Sequence, residues 1–225
     1  MKIIKTIALL LIILISNSAI SQRNTIDDFY QVVRGMTALN KIDEGIHGSP
    51  YITNQFKKAQ FVNSDKDFLM RFDAFRNLME VKVNDSIFVL PKNLSYAIKF
   101  KASKKTYKIF QYNESEAVIA GLFVVINEMD GESLLLKEKI EIEPEKIPRN
   151  GFELYKPPTL KRVKDQLFVG YKNNIASELP NKKEEIIQLF GSKAQLVEKQ
   201  AKKMKWSFKK KDDLIKIFEY YYSLN

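Results

Sequence analysis

The chain carries one histidine, His47, and no cysteine. A multi-histidine metal site is therefore ruled out, and a Ser/His/Asp triad would have to be built on His47. Thiol nucleophiles, thiolate metal sites and dithiol redox chemistry are ruled out as well. His47 lies in a loop with Glu44 three residues before it and Ser49 two after. That arrangement suits a carboxylate-assisted base or, equally, an imidazole bonded to a nearby carbonyl. There is no Gly-x-Ser-x-Gly elbow, phosphate-binding glycine loop or dinucleotide fingerprint. Asp65 and Asp67 run into apolar residues where an EF-hand needs further oxygen ligands. Carboxylate pairs remain: Asp73 with Glu80, and Glu141, Glu143 and Glu145 at period two. Two of these converging in a cleft could hydrolyse a glycosidic bond, whereas alternation along a strand is also the pattern of a solvated face. No catalytic residue, metal site or cofactor is assigned.

The other concentration of chemistry is charge. From Asn181 onward 11 lysines face 6 acidic residues. Lys199, Lys202, Lys203 and Lys205 fall largely away from an Ala194/Val197 face, and Lys209, Lys210 and Lys211 add a cluster, with Trp206 and Phe208 interleaved. These seven lysines form a possible anion-binding or membrane-surface patch; the same pattern fits an ordinary solvated helix face. The Tyr220-Tyr221-Tyr222 run reads as core packing with hydroxyls outward.

These groups belong to a chain that begins with a leader. Lys2 and Lys5 precede an apolar run from Ile7 to Ile15, followed by Ser16-Asn17-Ser18-Ala19-Ile20-Ser21. This is the pattern of a cleaved secretory signal over residues 1–21, and the run is shorter than the ~20 apolar residues a membrane span takes. The mature chain, residues 22–225, is then one β-rich domain with helices over 181–225 and no transmembrane span. The full chain's formal charge is +10. In an exported, periplasmic or secreted protein that charge points away from nucleic acid and toward an anionic envelope component (lipid phosphate, acidic polysaccharide) or an acidic protein.

Spacing and turn residues predict the elements that position these groups. Apolar positions from Thr25 to Leu39 fit a helix, interrupted by Gly35. Strands are expected at Lys57–Val62, Phe68–Phe72, Leu78–Val83, Ser86–Leu90, Ser95–Lys101 and Thr106–Tyr112. Asp130-Gly131 between Leu122–Asn127 and Ser133–Ile142 predicts a hairpin with a type I′ turn. Asn84-Asp85 and Asn173-Asn174 predict two more, the last joining Gln166–Tyr171 to Ile175–Leu179. Residues 143–158, acidic and then proline-rich, read as a connection. After Pro180 the period becomes helical. Asn181/Glu184 and Ser192/Gln195 are read as capping boxes, Gly191 as a terminating glycine, and Ala194, Val197, Ala201 and Met204 as a buried face. A third helix follows over Asp212–Leu224.

Gly48-Ser49-Pro50-Tyr51, Arg71-Phe72-Asp73 with Met79-Glu80, the Asp130-Gly131 hairpin and Leu214 with Tyr220-Tyr221-Tyr222-Ser223-Leu224 resemble a group of small exported proteins of Bacteroidota bacteria. The resemblance implies an envelope location and no particular activity. Asp85-Ser86-Ile87 is similar to the Asp-Ser/Thr-aliphatic acceptor of O-glycosylation in those bacteria, which makes Ser86 a possible glycan site. The expected fold is α+β: an antiparallel meander or partly open barrel with a helical C-terminal segment. The expected function is non-catalytic binding of a ligand or partner. The alternatives are an apolar-ligand carrier, hollow between sheet and helices, and a carboxylate-based hydrolase.

Overall fold

The computed structural model describes residues 36–38, 45–93, 95–149 and 153–224. The leader expected at 1–21 lies outside these residues, as does nearly all of the helix expected over Thr25–Leu39. The part of that helix described, Thr37–Ala38, is instead a strand, β1, whose backbone pairs with Phe88 and Val89. An available sheet edge overrides an apolar spacing that Gly35 already weakens.

The remaining strands are β2 (His47–Gly48), β3 (Lys57–Phe61), β4 (Phe68–Asp73), β5 (Leu78–Val83), β6 (Ser86–Val89), β7 (Ala97–Phe100), β8 (Thr106–Glu114) and β9 (Ala117–Met129). β10 (Glu132–Lys137), β11 (Ile140–Glu143), β12 (Thr159–Arg162), β13 (Gln166–Tyr171) and β14 (Ala176–Glu178) follow. Three α-helices close the chain: α1 (Lys183–Leu189), α2 (Ala194–Met204) and α3 (Lys211–Ser223). Eleven strands form one sheet in the order β1-β6-β5-β4-β3-β7-β8-β9-β10-β13-β14, and β11-β12-β2 form a second. The large sheet is antiparallel throughout, with the helical segment at its C-terminal end, so the fold is α+β with an open, curled barrel. The meander is broken where β1 pairs with β6, where β7 returns across the sheet to pair with β3, and where β11 and β12 leave for the second sheet between β10 and β13.

The turns follow residue chemistry. Asp130 and Gly131 both have positive φ, +46° and +91°, as a type I′ turn requires. Asn84 at +54° turns β5 into β6, and Asn174 at +59° lies in the four-residue connection between β13 and β14. Ser115 and Glu116 occupy the same left-handed region between β8 and β9 without a residue type that favours it.

The expected strand Ser133–Ile142 divides in two because Glu138 is buried there and anchors the break, so β10 and β11 enter different sheets. The connection at 143–158 ends in β12, which joins β11 to β2. Neither capping box forms: α1 starts after Lys182 and α2 after Lys193, with no side-chain cap at either. A 3₁₀ turn at Gly191–Lys193, with Gly191 at φ +52°, links them directly, leaving Ser192 inside the turn rather than before a helix.

Burial divides into three clusters. Phe61, Met70, Phe72, Met79, Ile98 and Tyr107 lead the first, on β3–β8. In the second, Leu134, Leu167 and Val169 pack against Ile186, Phe190, Val197, Ile217 and Phe218 of the helices. In the third, Phe110, Tyr112, Phe123, Leu135, Phe168 and Ala176 meet. Leu134 and Leu135 are adjacent on β10 and point to opposite faces, so the C-terminal half of the sheet buries both. The sheet curls around the third cluster until Ile175 bridges Gln111 of β8, with the Gln111 N–H donating to Asn174 O at 2.7 Å.

Such tight curvature leaves no room for a side chain at Gly170. A Cβ there would lie 2.6 Å from Leu135 Cδ1 and 2.7 Å from Phe110 Cε1. Gly170→Ala should destabilise the protein by about 1–3 kcal/mol through overpacking, read as a lowered midpoint in urea. Gly191→Ala, where nothing lies within 4 Å, should cost only about 1 kcal/mol of left-handed strain.

Candidate functional site

The segments at 48–51, 71–73 and 79–80 meet in space. β4 and β5 pair Arg71 with Glu80, and the chain before β3 folds over them. Glu80 is fully buried. Its Oε2 accepts from Arg71 Nη2 at 2.7 Å and Nε at 3.2 Å, and its Oε1 accepts from Tyr51 Oη at 3.1 Å. The Arg71 guanidinium lies 3.5 Å from the Tyr51 ring centre and 4.3 Å from that of Phe56. Asp73, also fully buried, takes Arg76 Nε at 2.7 Å, and Arg76 Nη2 reaches Glu80 Oε1 at 3.3 Å. Burial, with the Glu80 charge beside it, pushes the Tyr51 hydroxyl up to about 12. The structure thus joins the two carboxylates that the sequence paired, but one guanidinium touches both and neither faces a cleft. This is a clamp that fixes the loop onto the sheet, not an arrangement for splitting a sugar.

The other acidic candidates lie on solvated surface. Glu141 pairs with Lys139 at 2.6 Å, Glu143 with Lys161 at 3.2 Å, and Glu145 accepts from Tyr155 Oη at 3.0 Å. His47 is exposed on β2, where its backbone N–H donates to Pro158 O, and Ser49 Oγ donates to Asn54 Oδ1. Glu44 lies outside the described residues.

Two buried charges went unread in the sequence. Lys137, 4 % exposed, donates to Tyr112 Oη and to Glu114 Oε1, each at 2.6 Å. That bond holds the Glu114 carboxyl below its ordinary value. Glu138, 2 % exposed, accepts from Tyr107 Oη at 2.5 Å and Lys105 Nζ at 2.7 Å. From Glu138 an alternating chain continues through Arg162, Asp165 and Lys211 to the helical end. A charge closing the apolar run Leu134-Leu135-Leu136 was the available signal, since such a run buries its neighbours too.

At that end the lysines separate by role. Lys211 is half-buried and paired with Asp165 at 3.2 Å. Lys199, Lys202, Lys203, Lys205, Lys209 and Lys210 are exposed and make no ion pair among the described residues. Three of the segment's six acids are engaged by other lysines, Glu185 by Lys182, Glu198 by Lys183 and Asp213 by Lys216, while Glu184, Asp212 and Glu219 are exposed. On α2, Val197 and Ala201 are buried, whereas Met204, expected on that face, is 49 % exposed. The helix ends just there: Lys205 turns left-handed at φ +57°, and the Trp206 N–H donates to Ala201 O. Leu196, 53 % exposed, shares the outward stripe with Lys199 and Lys203. Beside the patch a groove of about 560 Å³ opens between β13, β14 and the start of α3, with Lys164, Lys209 and Lys211 opposite Asp165 and Glu178. The groove residues come from three separated segments and left no pattern in the sequence.

Comparisons with known families, proteins and solved structures give no match. The site therefore rests on its own chemistry. No helix among the described residues is long and apolar enough to cross a membrane. The layer that an apolar carrier would hollow out is filled by Leu134, Val169, Ile186, Phe190, Ile217 and Phe218, each buried.

Arg71→Met should cost about 3–5 kcal/mol, because it leaves the Glu80 charge buried without its bidentate partner. Arg71→Lys should recover only part of that, lacking the planar fork and the ring stack. Chemical denaturation of the two variants measures both values.

Proposed function

We propose that this chain is a non-catalytic exported protein, periplasmic or secreted, that binds an anionic envelope component through the basic face of α2 and the turn into α3. The observation that carries this is the set of six exposed lysines that make no ion pair among the described residues, on a segment with 11 lysines against 6 acidic residues, three of which (Glu185, Glu198 and Asp213) are engaged by other lysines. Clustered like charges repel one another in water, and an anionic surface relieves that repulsion. Leu196 and Met204 beside the lysines give the face the amphipathic character of surfaces that rest on membranes or acidic polymers.

The test is cosedimentation with vesicles of phosphatidylcholine, with and without phosphatidylglycerol, and retention on an acidic polysaccharide. Binding should appear only with the anionic materials and weaken as salt rises. Lys199→Glu with Lys203→Glu should lower affinity roughly tenfold or more at unchanged melting temperature. Equal binding to neutral vesicles, or indifference to the substitutions, would remove this reading.

Ser86 supports the same location. It is the exposed first residue of β6, beside the Asn84-Asp85 turn, where a glycosyltransferase can reach it. Intact mass of protein purified from its own host should exceed that of the processed chain by one glycan, and Ser86→Ala should abolish the increment.

A further inference from the structure

A second pocket lies away from the lysine face, at the mouth of the first core cluster. β3 pairs with β4 only through Lys57–Ala59, opposite Met70–Phe68. The residues before Lys57 leave the sheet to cover Arg71, and the gap this opens is a cavity of about 160 Å³. Its floor is apolar, made of Met70, Phe72, Phe100 and Tyr107, all 8 % exposed or less. Its rim carries the cations Lys57, Arg71 and Lys105.

The three cations differ. Arg71 is fixed by Glu80 and by rings on both sides, and Lys105 is tied to Glu138 at 2.7 Å. Lys57 bonds only a neutral amide, Gln55 Oε1 at 2.6 Å, and has no carboxylate partner among the described residues. It is exposed and lines the same pocket with its charge uncompensated. Thr53 and Ser103 add hydroxyls to the same rim.

We infer that this pocket binds a small organic carboxylate, with its apolar body on Met70, Phe72 and Phe100 and its carboxylate on Lys57. The volume is below the ~300–1,000 Å³ of drug-sized sites, which limits the ligand to a short acyl or aryl acid. Bulk apolar burial supplies attraction, and the one unpaired cation selects the charged end. This inference is independent of the lysine face, which shares no residue with the pocket.

The test titrates isotope-labelled full-length mature protein with octanoate, 3-phenylpropionate and octanamide, following Met70 methyl and Phe100 ring signals by NMR. At least one acid should bind, shifting both sets of signals, and the acid that binds more tightly identifies an acyl or an aryl ligand. Octanamide should bind about tenfold more weakly than octanoate, the ratio expected from one charge-assisted contact. Lys57→Ala should weaken acid binding about tenfold, Lys57→Arg should retain it, and Ala102→Trp, an exposed rim position, should block it. Failure of both acids to bind at millimolar concentration, equal affinity for octanoate and octanamide, or undiminished binding by Ala102→Trp would each overturn the inference. Should a variant not fold, the octanoate/octanamide ratio on the unaltered protein decides.

Discussion

A sheet of eleven strands has a large apolar surface to keep from water, and this chain has no disulfide to hold it in shape. Burial alone has to do it, and that requirement fixes the architecture. The N-terminal strands curve around the first aromatic cluster. The C-terminal strands bury one face on the helices and the other on themselves, closing through the contact between Ile175 and Gln111. Gly170 and Gly121 mark close packing in this curled half, since a Cβ at Gly170 would strike Leu135 and Phe110 and one at Gly121 would strike the Tyr112 ring of the neighbouring strand.

Charges are buried at strand ends and beneath the loop that covers β4 and β5. Glu80 and Asp73 sit under the loop that precedes β3, Glu138 at the break between β10 and β11, and Lys137 at the end of β10. Each is met by opposite charge, and all but Asp73 also by a tyrosine hydroxyl, as the cost of an unpaired buried charge demands. These groups do not add much net stability over an apolar packing of the same shape. They set which loop lies against which strand, and the chain from Glu138 through Arg162 and Asp165 to Lys211 ties the sheet to α3 in one register.

The surfaces left over are of two kinds. The lysines of α2 are numerous, mobile in reach and uncompensated, suited to a broad anionic partner without fine geometry. The pocket at Lys57 is small and rigidly floored, suited to a compact molecule. The first depends on charge summed over a helix face, the second on a gap produced by one strand being shorter than its neighbour. A single domain can carry both because they lie on different elements.

The strand and helix segments were legible where local chemistry dominates. Asp130-Gly131 announces its turn because few residues tolerate positive φ, and α3 announces itself by Leu214, Ile217 and Phe218 at helical spacing. Ser115-Glu116 and Lys205 adopt the same left-handed backbone with no such signal, because tertiary closure imposes the conformation on residues that do not prefer it. The capping boxes at Asn181 and Ser192 fit the pattern and did not form, since packing of Ile186, Phe190 and Val197 set where the helices begin. The lysine excess could be counted from the sequence. Which six lysines are left without partners depended on where Glu185, Glu198, Asp165 and Asp213 came to rest. Composition and periodicity act between neighbours along the chain and so determined the antiparallel strands, the helical end, and the lack of thiol and multi-histidine chemistry. Ion-pair partners, the crossover of β7 to β3, and the pocket at Lys57 join residues far apart in sequence. Only closure of the curled sheet brings them within the few ångströms over which those forces act.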